Sequence, residues 1–317
     1  MPAYPSAWYP FGLAADLEVG RVVRVPAFGT GWCVFRGHSG RPAIVHATCC
    51  HMGADLARGA IVGDRLRCSL HAWEYGPDGS CAHIPDVDTI PAHARVAALP
   101  AAERYGLVWG YLGQGAPPAL PSPEDFGDEI LLSRPFTARL QLPYPMIGGN
   151  AFDTHHLLPL HRRALVEPPE IDTLSERRIR LRYRAGVVGN SGYDRLTRAL
   201  GAREVEVVTD CWDGTQLIFH HRRQRAFTLF ASLPIDESTT RVFLRTGRAP
   251  RLPALLRPLD QAMLNLHQRL LLVFVFQDLD ALRGMRFKPG VLLAEQDRSF
   301  IAWHRHFSHV PRVAVPE

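Results

Sequence analysis

Two short stretches of the chain each carry one cysteine and one histidine at metal-ligand spacing. Cys49 and His51 form a Cys-x-His pair, and after sixteen intervening residues Cys68 and His71 form a Cys-x-x-His pair. Two thiolates and two imidazoles delivered by two loops can hold a [2Fe–2S] cluster in which one iron keeps two cysteines and the other takes two histidines. The same residue types can close a structural zinc site, which prefers two cysteines on one loop and two histidines on the other. Here each loop offers one of each, so each can reach both metals of a dinuclear centre. Gly53 follows the first pair, where a tight loop needs backbone freedom. Asp78-Gly79 follows the second and marks a hairpin turn.

A chain of 317 residues has room for about two domains. Hydrophobic residues make up 46% and charged residues 21%, values of an ordinary globular protein. The net charge of +5 comes without a long Lys/Arg block, so no nucleic-acid partner is indicated; a basic surface suits either plain solvation or docking of an acidic electron donor. Of the six cysteines, Cys33, Cys50, Cys81 and Cys211 lie outside the two pairs and show no disulfide framework, which points to a reducing, cytoplasmic setting. Cys50 reads as a buried neighbour of the site. The N-terminus lacks a basic region followed by an apolar run, so no signal peptide is expected. The longest apolar run, Leu270 to Phe276, is far short of the ~20 residues of a membrane span, and a soluble protein is expected.

Short strand-like runs, such as 21–25, 32–36, 43–46 and 107–112, alternate with Gly, Pro and Asp up to about Gly113. A proline-rich stretch from Gly115 to Pro123 permits neither helix nor central strand and separates a domain at 1–120 from a second at 121–317. The second domain opens with a strand over 136–142 and a helix around 149–160. Strands over 177–188, 204–209, 215–221, 226–233 and 240–246 then form an antiparallel meander with one covered face. A helix over about 259–282 should lay its apolar run across that sheet. The fold class is α+β.

The second constellation is Asn150-x-x-Asp153-x-x-His156-x-x-x-x-His161. Two nearby histidines and a carboxylate make the facial triad of non-heme Fe(II) sites. Five residues advance about 140° around an ideal helix, so the two histidines of one straight helix would diverge. Pro159 is the residue expected to distort it. Asp153 and His156 share a face. The remaining carboxylate is Asp278 or Asp280, which a helix aims about 200° apart. Asp278 falls in register with Phe274 and Leu282 on the apolar stripe and is the favoured choice.

These motifs, with His71-Ala72-Trp73 and Cys81-Ala82-His83-Ile84-Pro85, resemble the Rieske non-heme iron oxygenases. The family usually has glycine where Ala72 stands. The resemblance covers nearly the whole chain and implies a small all-β Rieske domain followed by a catalytic domain with a curved antiparallel sheet covered by helices, a helix-grip, START-like fold. It implies a [2Fe–2S] cluster on Cys49, His51, Cys68 and His71, and a mononuclear Fe(II) on His156, His161 and Asp278. Asn150 would lie near the iron, and Asp153 would bridge the two centres by linking His156 to His71 of a neighbouring chain in a head-to-tail homotrimer. His155 lies off the family spacing and reads as a bystander. Ala54 and Leu70 stand where respiratory Rieske proteins carry a disulfide, so none is expected.

The implied activity is that of a terminal oxygenase, fed from NAD(P)H through a ferredoxin, a flavin reductase or both, and using O2 to mono-oxygenate an aromatic or polycyclic small molecule by hydroxylation, N-oxygenation or demethylation. The length resembles the ketosteroid hydroxylase, demethylating monooxygenase and aminopyrrolnitrin oxygenase group. The stretches 196–201 and 278–285 are most similar to the last. The rival is a non-catalytic electron-transfer protein: either a Rieske ferredoxin, which would leave roughly two hundred residues without a purpose, or the same fold with a dead iron site. The loop pattern predicts that the dithionite-reduced protein gives a Rieske-type electron paramagnetic resonance signal with low average g; a colourless protein holding only zinc would contradict it.

Overall fold

The glycine- and proline-punctuated runs of the first third of the chain form short strands in the computed structural model. Residues 3–124, 126, 129–199, 201, 203–286, 288 and 290–316 are described; Leu200, within the stretch 196–201 singled out above, lies outside them. The chain divides into two compact units. One comprises the chain through Leu120, Leu233–Glu237 and the segment from Pro311 onward; the other comprises Pro121–Ser232 and Ser238–Val310. The C-terminal strand Arg312–Ala314 falls in the first unit because it pairs with Ala3–Pro5.

In the first unit Thr30–Arg36 lies between Val22–Ala27 and Pro42–His46 in a four-stranded sheet. A smaller sheet runs Ala60–Val62, Arg65–Arg67, Glu74–Tyr75 and Cys81–His83. Phe35, Val45, Leu56, Leu66 and Tyr75 belong to one buried core with Cys49 and Cys68. The cysteine ends of both loops are thus anchored in packed apolar residues. Glu74 is buried and held by Arg67 at 2.7 Å and Arg65 at 3.2 Å.

The second unit is built on a nine-stranded sheet. Its main strands are β1 (Phe136–Leu140), β2 (Arg178–Val187), β3 (Glu204–Trp212), β4 (Gln216–His221), β5 (Ala226–Pro234) and β6 (Thr240–Arg248). The order is β2-β3-β4-β5-β6, with β1 pairing the far side of β6. All nine residues of β5 are buried, as suits an interior strand. The β3–β4 hairpin turns on Asp213 (φ 52°) and Gly214 (φ 72°), the two positive φ angles of a type I′ turn. Short strands at Glu170–Ser175 and Arg163–Leu165 extend the sheet beside β2 and were not expected, nor were two of the helices below.

Among the described residues five α-helices accompany the sheet: α1 (Pro145–Phe152), α2 (Leu157–His161), α3 (Gly192–Ala199), α4 (Arg257–Ala281) and α5 (Arg298–His309). The single helix expected over 149–160 is therefore two helices. The break falls at Asp153, whose extended backbone (ψ 99°) ends α1, and not at Pro159. Pro159 sits in the first turn of α2, where its missing N–H costs nothing. α4 lies beside β6, joined through Thr246 N–H donating to Gln268 Oε1 at 2.9 Å. Its apolar run does not lie wholly inward: Leu270, Val273 and Phe276 remain exposed. Seven successive apolar residues cover every side of a helix, and only one side can turn inward. Among the described residues no helix is long and apolar enough to cross a membrane.

One buried ion network spans β2 to β4. Asp210 is fully buried and accepts from Arg178 at 2.5 Å, Arg180 at 2.6 Å and His220 at 2.8 Å. Burial alone would raise its carboxyl, but the hydrogen bonds from Arg180, His220 and Arg178 outweigh it and hold the group well below the usual carboxylate range. Asp210→Ala strips two arginines of their buried counter-charge and is expected to cost about 3–5 kcal/mol in urea unfolding. With its folded pKa depressed, the Asp210 contribution is complete above the unfolded value of about 4 and fades as pH falls below it. Wild type should therefore lose more stability than Asp210→Ala between neutral and acid pH.

Candidate iron centres and substrate cavity

The two Cys/His loops close in the same way. In the first, the Cys49 carbonyl accepts from Gly53 N–H at 2.9 Å, and Cys49 N–H donates to the Ala54 carbonyl at 2.9 Å. In the second, the Cys68 carbonyl accepts from Ala72 N–H at 3.1 Å, and Cys68 N–H donates to the Trp73 carbonyl at 2.8 Å. Gly53 (φ 77°) and Ala72 (φ 55°) hold equivalent left-handed positions. That is why glycine suits the place of Ala72: a side chain there pays about 1–2 kcal/mol.

Each turn buries its cysteine and exposes its histidine. Cys49 and Cys68 are buried, while His51 and His71 are exposed with ring centroids 4.6 Å apart. Trp73 stacks on His51 at 4.4 Å and 5°, fixing that ring. The donor set fits a [2Fe–2S] cluster with an inner thiolate iron and an outer imidazole iron. Cys50 is exposed, contrary to expectation, because the Cys49–Gly53 turn leaves its middle residues outside. All six cysteines are free thiols. Burial pushes Cys33 up to about 12 and raises Cys211, so these are inert neutral core residues.

In the second unit α2 and α4 bring three donors together. His161 Nε2 lies 2.7 Å from Asp278 Oδ1, and His156 Nε2 lies 3.5 Å from the same oxygen. One ligand atom from each of the three residues lies within 4.8 Å of the others, the separation a single metal ion requires. His156 caps the start of α2 and His161 ends it, with ring centroids 5.1 Å apart; the cap position escapes the divergence of an ideal helix. His161 Nδ1 donates to Gln277 Oε1 at 2.9 Å, which leaves Nε2 facing Asp278. Asp280 is exposed and pairs with Arg283 at 3.3 Å, outside this group.

Asp153 Oδ2 lies 3.2 Å from His156 Nδ1, and Oδ1 accepts from His155 N–H at 2.9 Å. Burial works to raise its carboxyl, but His156 and the backbone N–H groups of His155 and His156 hold it lowered. Asn150 lines the cavity beside the triad. His155 is exposed, its Nδ1 3.7 Å from Asp297. Several supporting residues left no mark in the sequence reading. Arg163 pairs with buried Asp194 at 2.8 Å and stacks over Phe274 at 5.3 Å, in the wall beside His161. Gln277 could have been suspected from its place next to Asp278; Asp194 carries no local signal.

The triad stands in the wall of a cavity of about 510 Å³. Leu142, Leu217, Phe219, Leu244, Leu271 and Phe274 give that wall an apolar character.

Residues 7–97 match the model of the Rieske [2Fe-2S] domain family. The chain is 37% identical over 130 residues to a probable 3-ketosteroid-9-alpha-monooxygenase oxygenase component of Rhodococcus rhodochrous, covering 39% of this chain and 33% of that protein. It is 33% identical over 172 residues to aminopyrrolnitrin oxygenase PrnD of Pseudomonas fluorescens, covering 49% of this chain and 46% of that one. The matched part therefore spans less than half of these curated relatives. The structure of dicamba monooxygenase bound to dicamba aligns with a TM-score of 0.64 at 17% identity, over 98% of both chains. The chain carries a Rieske [2Fe–2S] domain. That domain falls within the first unit, and the chain as a whole shares the α+β fold of dicamba monooxygenase.

The Tyr75 hydroxyl lies 3.0 Å from Cys49 Sγ and 3.3 Å from Cys50 Sγ. Burial raises the phenol, which therefore stays protonated and would donate to Cys49 Sγ once that sulfur, as a thiolate, holds a cluster. Such a bond favours the reduced, more negative cluster. Tyr75→Phe is expected to lower the reduction potential with the cluster retained, as read by redox titration.

Proposed function

We propose that the chain is the terminal oxygenase component of an electron-transfer system, mono-oxygenating an aromatic or polycyclic small molecule. The observation that carries this reading is the meeting of His156, His161 and Asp278 in the wall of a large apolar cavity. A donor array of two imidazoles and one carboxylate leaves coordination positions for dioxygen beside the substrate. An electron carrier needs no such cavity. When bound there, an Fe(II) ion supplies the activation of dioxygen, with electrons drawn from NAD(P)H by way of a ferredoxin, a flavin reductase or both.

The side chains around it have separate tasks. Gln277 holds the His161 ring through Nδ1. Asp153 sits against Nδ1 of His156 and orients Nε2 inward. Asp153 is also half-exposed, so its carboxylate is open to a second imidazole, His71 of a neighbouring chain in a homotrimer. Exposed His51 and His71 give the cluster an edge through which electrons enter and leave. The apolar walls bind the body of the substrate and keep water from the reacting atoms. The names of the relatives, a ketosteroid monooxygenase among them, agree with a ring-containing substrate.

Metal analysis after anaerobic reconstitution tests the assignment. Wild type is expected to hold three irons per chain, Asp278→Ala the two cluster irons with little of the third, and Asp280→Ala all three. Full occupancy in Asp278→Ala would remove that residue from the iron site.

A further inference from the structure

His267, Leu271, Phe274 and Asp278 recur along one face of α4, and all four line the cavity. Three helical turns separate His267 from Asp278, an axial rise of about 16 Å. The cavity thus has the iron ligands at one end and a second polar group far along the same wall. There the His267 ring meets His221, the last residue of β4, with centroids 5.1 Å apart. His221 Nε2 lies 2.8 Å from Thr228 Oγ1, which lies 3.0 Å from Thr246 Oγ1. Among the described residues, His267 has no hydrogen bond and His221 has only this one.

Charge is disfavoured on these two rings, although Arg222, Arg223 and Glu206 also line the cavity. Burial pushes His221 down to about 3, with His267 and His220 adding to it, and burial with Arg248 and Arg251 lowers His267. Both rings are neutral near pH 7, each with one N–H and one bare nitrogen. Arg248 is already paired with Asp260, Arg251 with the Gln224 carbonyl, and Arg222 with Glu206.

We propose that His221 and His267 form the recognition end of the substrate site, hydrogen-bonding a neutral hydroxyl or carbonyl oxygen at the far end of an elongated, otherwise apolar molecule. A hydroxyl can accept from one imidazole N–H and donate to a bare ring nitrogen, matching the pair. A carboxylate would carry charge into a place where burial opposes it. After the reach of the side chains at both ends, roughly 10 Å remains to be spanned, more than one six-membered ring covers. This deepens the oxygenase reading and rests on it: the atom presented to His156, His161 and Asp278 is the one remote from the anchored oxygen.

Three probes of one shape test the anchor: biphenyl, 4-hydroxybiphenyl and biphenyl-4-carboxylate, each titrated anaerobically into the reconstituted holoenzyme by calorimetry. One neutral hydrogen bond predicts that 4-hydroxybiphenyl binds about five- to tenfold tighter than biphenyl. His267→Leu should erase that preference and leave biphenyl affinity unchanged. His267→Asn, which keeps a donor and an acceptor, should restore part of it and shows that the loss is not a misfolded helix. An undiminished preference in His267→Leu overturns the proposal. So does tightest binding of the carboxylate, or no binding by any of the three. Dioxygen consumption by the same samples, pre-reduced with dithionite and freed of its excess, is read separately: three irons with intact phenol preference but no consumption would overturn the oxygenase reading and leave the anchor standing.

Discussion

The contact on which the second unit turns is the one between His161 and Asp278, 2.7 Å apart and 117 positions distant in the chain. An imidazole and a carboxylate so close to an apolar cavity are costly to desolvate unless they are paired or bind a metal. The sheet and α4 together meet that condition. α2 leads from His161 directly into the short strand beside β2, and α4 is held to the segment before β1 by Gln268 and Gln261. The cavity between those walls is therefore tied to the same framework that brings the donors together.

The cluster loops solve a related problem on a smaller scale. Each is a turn that points its cysteine into packed core and its histidine outward. A thiolate is expensive to bury, so hydrogen bonds gather on it: Tyr75 O–H and the His51 backbone N–H both reach Cys49. The exposed histidines would leave a bound cluster with solvent on that side.

Electrostatics divides the second unit into charged and neutral regions. Asp210 with Arg178, Arg180 and His220 forms a buried ion network. His221, adjacent in sequence to His220, faces the cavity and is driven neutral. Both neighbouring histidines line the cavity, but only His220 reaches Asp210. His220 hydrogen-bonds the buried Asp210 carboxylate; His221 offers an uncharged polar group to the cavity.

The local features were legible in the chain itself. The Cys-x-His and Cys-x-x-His loops, the alternating runs that became β2 to β6 and the Asp213-Gly214 turn each depend on residues a few positions apart, where spacing and backbone preference act directly. The α+β class follows from those runs. Other outcomes required packing. Pro159 reads as a helix breaker, yet it stands in a first turn where it breaks nothing, and the real end of α1 lies at Asp153. Cys50 reads as buried, yet turn geometry puts it outside. α5 escaped notice although Ser299, Trp303 and Phe307 mark a buried face at helical spacing. Asp278 and Asp280 are both plausible as sequence, and only the rotation of α4 sends one to the histidines and the other to solvent. The His221–His267 pair had no sequence signal, because a strand end and a helix three turns from the iron ligands become neighbours only when the sheet and helix pack.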